Sequence, residues 1–450
     1  MHNMKRSYIL ILFVCMVFAM TANANARSLE IDIYGPGQNK INLIQSKPVI
    51  APAAQKSPQT VESAAELSKL IHNNLYYLPF MNLIKGKNIL GGNIVAGGTG
   101  KSIDFKKYQL ANVDLLVTEV WPEVPNNGRP RVELRAFEVF TGKLVLGKAY
   151  SELTPENMPN VADRFCSALM KKLTGRGEFF LSTLAFVKKA NPKKKDIWTV
   201  RPTGRDLNRL TNMSGLAMSP TWSPDGRYIL FSHIGKRYHS LGIWDRLTQR
   251  VQKVKFPGNT IIGPAFLPDN KVAVSLAAGG NPDIYLLNHK FKREKTLVQN
   301  WAIDVSPSFD ETGKKMVFVS SRRGNPHIFL KDLPSGKETR ITRNGKYNTS
   351  PSISPDGELV VFARRTPQGH RIFAMDLVTG KEKQITFGPG NDEMPAFGPD
   401  GFFVAFSSNR SGEYKIYLTT RHGGTPRMVK TGSGEATLPS WGMVPAVSGR

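Results

Sequence analysis

Several sets of residues in this chain have the types and spacing to do chemistry, and each set points to a different reaction. Gly97-Gly98-Thr99-Gly100-Lys101-Ser102 ends like a phosphate-binding loop, where backbone N–H groups cradle phosphate oxygens and a lysine adds charge. That chemistry also needs a glycine where Val95 stands and a helix opening directly after the loop. The sequence offers neither, so a surface loop is expected. His327 and His370 precede strands of neighbouring repeats, but no third ligand stands at a matching place, and no metal site is expected. Asp392-Glu393 is an adjacent acidic pair of the kind that glycan hydrolysis uses, although one pair is too little to favour it. Neither a Gly-x-Ser-x-Gly elbow nor a His-Glu-x-x-His helix occurs. The expectation is therefore a non-enzyme with no catalytic residue and no cofactor.

Arginines offer a different chemistry. Arg322-Arg323, Arg364-Arg365 and Arg410 recur at related places and could grip carboxylates of an acidic partner in pairs; the bland alternative is a solvated face. What must position them is a beat of about 44 residues. Its marks are Pro220-Thr221-Trp222, Pro264-Ala265-Phe266, Pro307-Ser308-Phe309, Pro351-Ser352-Ile353, Pro395-Ala396-Phe397 and Pro439-Ser440-Trp441, at intervals of 44, 43, 44, 44 and 44. After most marks comes a tight turn such as Ser223-Pro224-Asp225-Gly226 or Ser354-Pro355-Asp356-Gly357, whose residues tolerate positive φ or bond their own backbone. Three short apolar runs follow.

Four strands per 44 residues read as one blade of a β-propeller, because a lone four-stranded sheet cannot bury both faces until neighbours stack on it. Before Pro220 stands an incomplete unit of three runs, Leu184 to Lys188, Asp196 to Val200 and Leu207 to Thr211; after Val429 one orphan strand, Leu438 to Gly442, remains. Together they make one blade. Residues 178–445 are thus expected to form an all-β six-bladed β-propeller closed by the C-terminal strand, with 446–450 as a tail. The loops before each first strand and between second and third strands then share a face. That face would carry Thr260, Ile262, Val305, Thr349, Glu393 and Thr437, with Arg322, Arg323, Arg364, Arg365 and Arg410 as a rim.

Ahead of the repeats, residues 27–177 lack the beat and read as a small α/β domain, a mixed sheet with two helices. A helix is expected from about Thr60 to Tyr77 and strands at 113–120, 131–140 and 143–151. A second helix would start with Thr154 as N-cap and Pro155 at its first position, and stop at Gly175. Cys166 lies on it and reads as core. Residues 1–26 read as a cleavable export signal, with Lys5-Arg6, an apolar run from Ile9 to Met20 and Ala22-Asn23-Ala24-Asn25-Ala26. That run is too short to span a bilayer, and no transmembrane segment is expected in the mature chain. The formal net charge of +26 would argue for nucleic acid in a cytosolic protein. For an exported chain it points instead to acidic proteins or anionic envelope surfaces, or else to a basic bias with no partner meaning.

Taken in order, these phrases resemble the TolB family of the Tol-Pal envelope system. The likeness rests on the export signal, the alternating Leu29-Glu30-Ile31-Asp32-Ile33-Tyr34, Leu173-Thr174-Gly175, Met218 through Gly226, and Leu438-Pro439-Ser440-Trp441. The resemblance implies a monomeric periplasmic adaptor that binds no nucleic acid. Its partners would be TolA, through Ser28, Leu29, Glu30, Ile31, Asp32, Ile33 and Tyr34, and the peptidoglycan-associated lipoprotein Pal, through the propeller face, in support of outer-membrane integrity and cell division. The loops Thr260-Ile261-Ile262 and Trp301 to Val305 and the Gly-rich stretch 91–100 depart from the family pattern. From a different class, the competing expectation is a propeller enzyme or carbohydrate-binding protein acting on a surface glycan.

Overall fold

A computed structural model of the protein describes residues 40–443, apart from 56, 124–129, 237, 256–259 and 278–279. The expected export signal (1–26), the segment Ser28 to Tyr34 and the tail 446–450 lie outside the described residues.

The N-terminal region is a mixed sheet with helices against it. Its strand order is Met81–Leu83, Ile41–Gln45, Leu115–Trp121, Arg131–Glu138 and Leu144–Ser151, with Val49–Ile50 also pairing Leu115–Trp121. Helix α1, Pro58–Tyr76, is capped by the Ser57 hydroxyl accepting from the Thr60 N–H, and it buries Ala64, Leu67, Ile71 and Leu75 as one stripe. Helix α2 is Met158–Thr174. It starts later than its sequence indicates, because Thr154 and Asn157 bond each other reciprocally, N–H to side-chain oxygen at 2.9 and 3.3 Å, and close a separate turn first. Asn157 and Pro159 thus replace Thr154 and Pro155 at the helix start, whereas Gly175 ends it as expected, at φ +77°. Cys166 is fully buried on α2, and burial pushes its thiol up, as suits a core residue.

The Gly-rich stretch also differs from a plain surface loop. Gly100–Ser102 forms a 3-10 turn and Phe105–Leu110 a short helix, with Asp104 accepting from the Lys106 N–H at 3.1 Å. Val95, where a phosphate loop requires glycine, is 4% exposed and packs with Ile89, Ile103 and Tyr108, so this backbone is anchored in the core.

Buried among these strands, Glu119 accepts from the Trp121 indole N–H at 2.6 Å and from the Ser68 hydroxyl, and burial raises its pKa from 4.5 to about 7. The native state therefore holds a proton that the unfolded chain releases, and stability falls as pH rises from about 4.5 to about 7. Glu119→Gln removes the charge, with the amide oxygen accepting from Trp121 and the amide N–H donating to the Ser68 hydroxyl oxygen. It is expected to flatten that slope and to add up to roughly 3 kcal/mol at pH 8, read from denaturant melts across pH. An unchanged slope would assign the pH dependence to other groups.

From Ser182 onward the chain is sheet upon sheet. Among the described residues, four sheets have four strands each, in sequence order, beginning at Thr260, Asp304, Asn348 and Asp392. A further eight-stranded sheet joins two groups through a short parallel pairing of Gly215-Leu216 with Lys194-Lys195. At its other side strand Ala436–Met443 pairs antiparallel with Ser182–Asn191, Trp441 opposite Leu184. The Asp turns behave as their chemistry requires: Gly226, Gly313, Gly357, Gly401 and Asn270 all take φ between +63° and +69°. Between sheets the core repeats with the beat. Phe318, Phe362 and Phe406 of second strands meet Phe329, Phe373 and Tyr417 of third strands at 5.8, 6.1 and 6.0 Å between ring centroids.

Candidate functional site

The repeat begins each time with a strand that breaks its own register. Among the described residues, six first strands shift their pairing at one place: between Met218 and Thr221, Ile262 and Ala265, Val305 and Ser308, Thr349 and Ser352, Glu393 and Ala396, and Thr437 and Ser440. Each shift is a β-bulge ending at the marker proline, which has no N–H to give the ladder. The residue before the proline turns to positive φ: Ser219 +50°, Gly263 +52°, Ser306 +58°, Ser350 +52°, Met394 +54° and Leu438 +57°. Only one of these is glycine, and each of the others costs roughly 1–2 kcal/mol of backbone strain. Strain repeated at five equivalent positions is held by the surrounding sheets.

The bulges shape a cavity of about 600 Å³, lined by Pro220, Pro264, Pro307, Pro351, Pro395 and Pro439 and by the bulged residues beside them. Directly before the bulges stand Met218, Ile262, Val305, Thr349, Glu393 and Thr437, all half-buried. The structure thus brings five of the sequence-expected residues to one repeated position and adds Met218, which subtracting the repeat length from Ile262 would have found. Thr260 opens its strand two residues earlier than Ile262. Glu393 is held by His370 at 2.8 Å and by the Tyr414 hydroxyl at 2.7 Å, and burial raises the Tyr414 pKa to about 12.

The expected arginine rim is divided by the structure. Arg322 lies over Phe318 and Phe329, Arg364 over Phe362 and Phe373, and Arg410 over Phe406 and Tyr417, with the guanidinium 4.4–5.5 Å from the ring centroids. Each also meets carboxylates of its own sheet: Arg322 pairs Asp304 at 3.2 Å and Glu338, Arg364 pairs Glu382 at 2.8 Å, and Arg410 pairs Asp392 at 2.8 Å. These three guanidiniums are occupied inside the sheets, which corrects their reading as free grips. Arg323 and Arg365 are exposed. The histidines need a correction too. His327 pairs Ser320 across the strands as Arg371 pairs Arg364, so the counterpart of His327 is Arg371, and His370 sits one residue off on the other face. Among the described residues no cluster could hold a metal ion.

The opposite ends of the strands are engaged by the N-terminal region. Arg176, just after α2, donates to the Asp400 carbonyl at 2.6 Å and pairs Asp356 at 3.5 Å. Phe80 meets Phe402 edge-on at 5.9 Å, and Phe179 lies 4.0 Å from Phe403 and 6.0 Å from Trp441. Asp400 is fully buried there, and burial raises its pKa to about 6. Asp356, Asp400 and Phe402 lie in turns that follow first strands and Phe403 opens a second strand, so the strand starts with Met218, Ile262 and Val305 lie at the other end of the sheets.

Comparison with known proteins places this arrangement. A family model described as the TolB beta propeller domain matches residues 170–445. The chain belongs to the TolB family. It is 54% identical over 312 residues, 69% of each chain, to the Tol-Pal system protein TolB of Nitratidesulfovibrio vulgaris. It is 30% identical over 328 residues, 71% of each chain, to the protein TolB homolog of Chlorobium luteolum. The crystal structure of TolB from Acinetobacter baumannii shares the fold, with a TM-score of 0.76 at 19% identity over 91% of this chain and 98% of that one. The fold is therefore a TolB-like β-propeller preceded by a mixed α/β region, in a family of non-enzymatic Tol-Pal components. Among the described residues no helix is long and apolar enough to cross a membrane.

Proposed function

We propose that this TolB-family chain is the periplasmic adaptor of a Tol-Pal system. After loss of an export signal at 1–26, residues 27–177 and 178–445 act as two joined domains. The second is a closed ring of six blades. Six bulged first strands at even spacing, the cavity they share and the pairing of Trp441 with Leu184 support that reading. The ring binds the peptidoglycan-associated lipoprotein through the face bearing Met218, Ile262, Val305, Thr349, Glu393 and Thr437, with Arg323 and Arg365 at its rim. The segment Ser28 to Tyr34 binds TolA. In this way energy from the inner membrane reaches the outer membrane and supports its integrity and its constriction in division.

The observation that carries the docking face is the one-sided use of the propeller. The α/β region engages the turn end of the strands, whereas half-exposed residues directly before the bulges stand at the other end. Capture from envelope extract tests the reading. The full mature chain is expected to recover a Pal-type lipoprotein and TolA, and deletion of residues 27–34 to lose TolA alone with the thermal transition hardly moved. Retention on a glycan column with turnover, and no lipoprotein, would replace the adaptor by a glycan-active protein.

A further inference from the structure

The positive charge is unevenly placed on the propeller wall. In the group of strands Gly215–Trp222, Tyr228–Ile234, His239–Asp245 and Arg250–Lys255, the outer strand exposes Arg250, Lys253 and Lys255, and the hairpin leading to it carries Arg246. In the next group, Thr260–Phe266 to Arg293–Val298, the last hairpin and outer strand expose Lys290, Lys292, Arg293 and Lys295. Acidic residues in these segments are already bridged, Asp245 to Arg227 at 3.2 Å and Glu294 to Lys271 at 3.1 Å. Arg250, Lys253, Lys290, Lys292 and Lys295 enter no ion pair among the described residues. Both segments belong to one wall, since Val254 and Phe291 pack against the same cluster, around Tyr285 and Leu287.

Corresponding edges of the two groups that follow, beginning at Asp304 and Asn348, differ. Their outer strands, Glu338–Arg340 and Glu382–Gln384, are short, and Glu338 and Glu382 pair there with Arg322, Lys331 and Arg364. Lysines along a sheet edge discourage edge-to-edge pairing, which accounts for Lys253 and Lys255 but not for Lys290 and Lys292 in a hairpin turn. Both hairpin tips set an apolar residue among cations. Leu247, 65% exposed, stands between Arg246 and Arg250, and Phe291 between Lys290 and Lys292.

We propose that this outer wall docks on an anionic lipid headgroup layer, with Leu247 entering the headgroup boundary and the cations facing the phosphates. Each basic residue near such a surface adds to the attraction, and an apolar tip adds what a soluble polyanion would not reward. The site is separate from the strand-start face, so it stands or falls independently of lipoprotein binding.

Vesicle co-sedimentation of the full mature chain tests it. Vesicles of phosphatidylethanolamine with phosphatidylglycerol are expected to bind the chain and phosphatidylcholine vesicles not, with binding lost as salt rises. Combined Arg250→Gln, Lys253→Gln, Lys290→Gln and Lys292→Gln should lower the partition coefficient more than about tenfold, with unchanged Tm and lipoprotein capture. Arg323→Gln with Arg365→Gln should leave vesicle binding intact. Equal sedimentation of the fourfold variant and the parent would overturn the proposal. So would binding of the parent to soluble polyphosphate but not to the anionic vesicles.

Discussion

A chain ended after Glu435, lacking strand Ala436–Met443, is expected to show no cooperative unfolding transition and to run as an aggregate in size exclusion. That strand ties together residues far apart in sequence. It pairs with Ser182–Asn191 along its length, the Leu438 N–H donates to the Ser407 hydroxyl at 3.0 Å, and the Trp441 indole N–H donates to the Ala396 carbonyl at 3.0 Å. Leu438 also packs into the cluster around Trp222 and Phe231. Without it, the edge of Ser182–Asn191 offers unpaired backbone groups to other chains, and the lost ladder and core contacts exceed the roughly 5–15 kcal/mol by which domains are stable. Gly442→Val should act in the same direction more mildly, since even a Cβ there would lie 2.3 Å from the Trp222 ring. A truncated chain that melts cooperatively within a few degrees of the parent would make the strand peripheral.

The second large effect separates the arginines. Arg410→Ala leaves Asp392, which is fully buried, without its cation, and also uncovers Phe406 and Tyr417. Breaking such a pair from one side costs about 3–5 kcal/mol, so Tm should fall by several degrees at least. Arg365→Ala, on an exposed side chain, should leave Tm within the scatter of surface substitutions. Equal Tm values for the two variants would return Arg410 to the solvated rim.

Much of the fold was legible because the beat is carried by residues with backbone consequences. Proline marks and Asp-Gly turns dictate where strands start and turn, and Phe318, Phe362 and Phe406 recur at the same interval in the core. The bulges were not legible, because Ser219, Gly263, Met394 and Leu438 share no side-chain type; what they share is a φ imposed by the sheets. Sequence spacing also misled about the arginines. Arg322 and Arg410 are two repeats apart, and the position between them is Thr366, yet Arg364 reaches the same aromatic pair from two residues upstream. A long flexible side chain can fill an equivalent place from a non-equivalent position. In the α/β region, Thr154 looked like a cap by type alone, and its bond to Asn157 moved the helix start.

The claim that matters most is docking at the strand-start face, and a calorimetric titration with the periplasmic domain of a Pal-type lipoprotein tests it directly. The parent chain is expected to give saturable binding, and Val305→Arg with Thr349→Arg to abolish it while Tm holds. Equal affinity for both proteins, or no binding by the parent, would contradict the account.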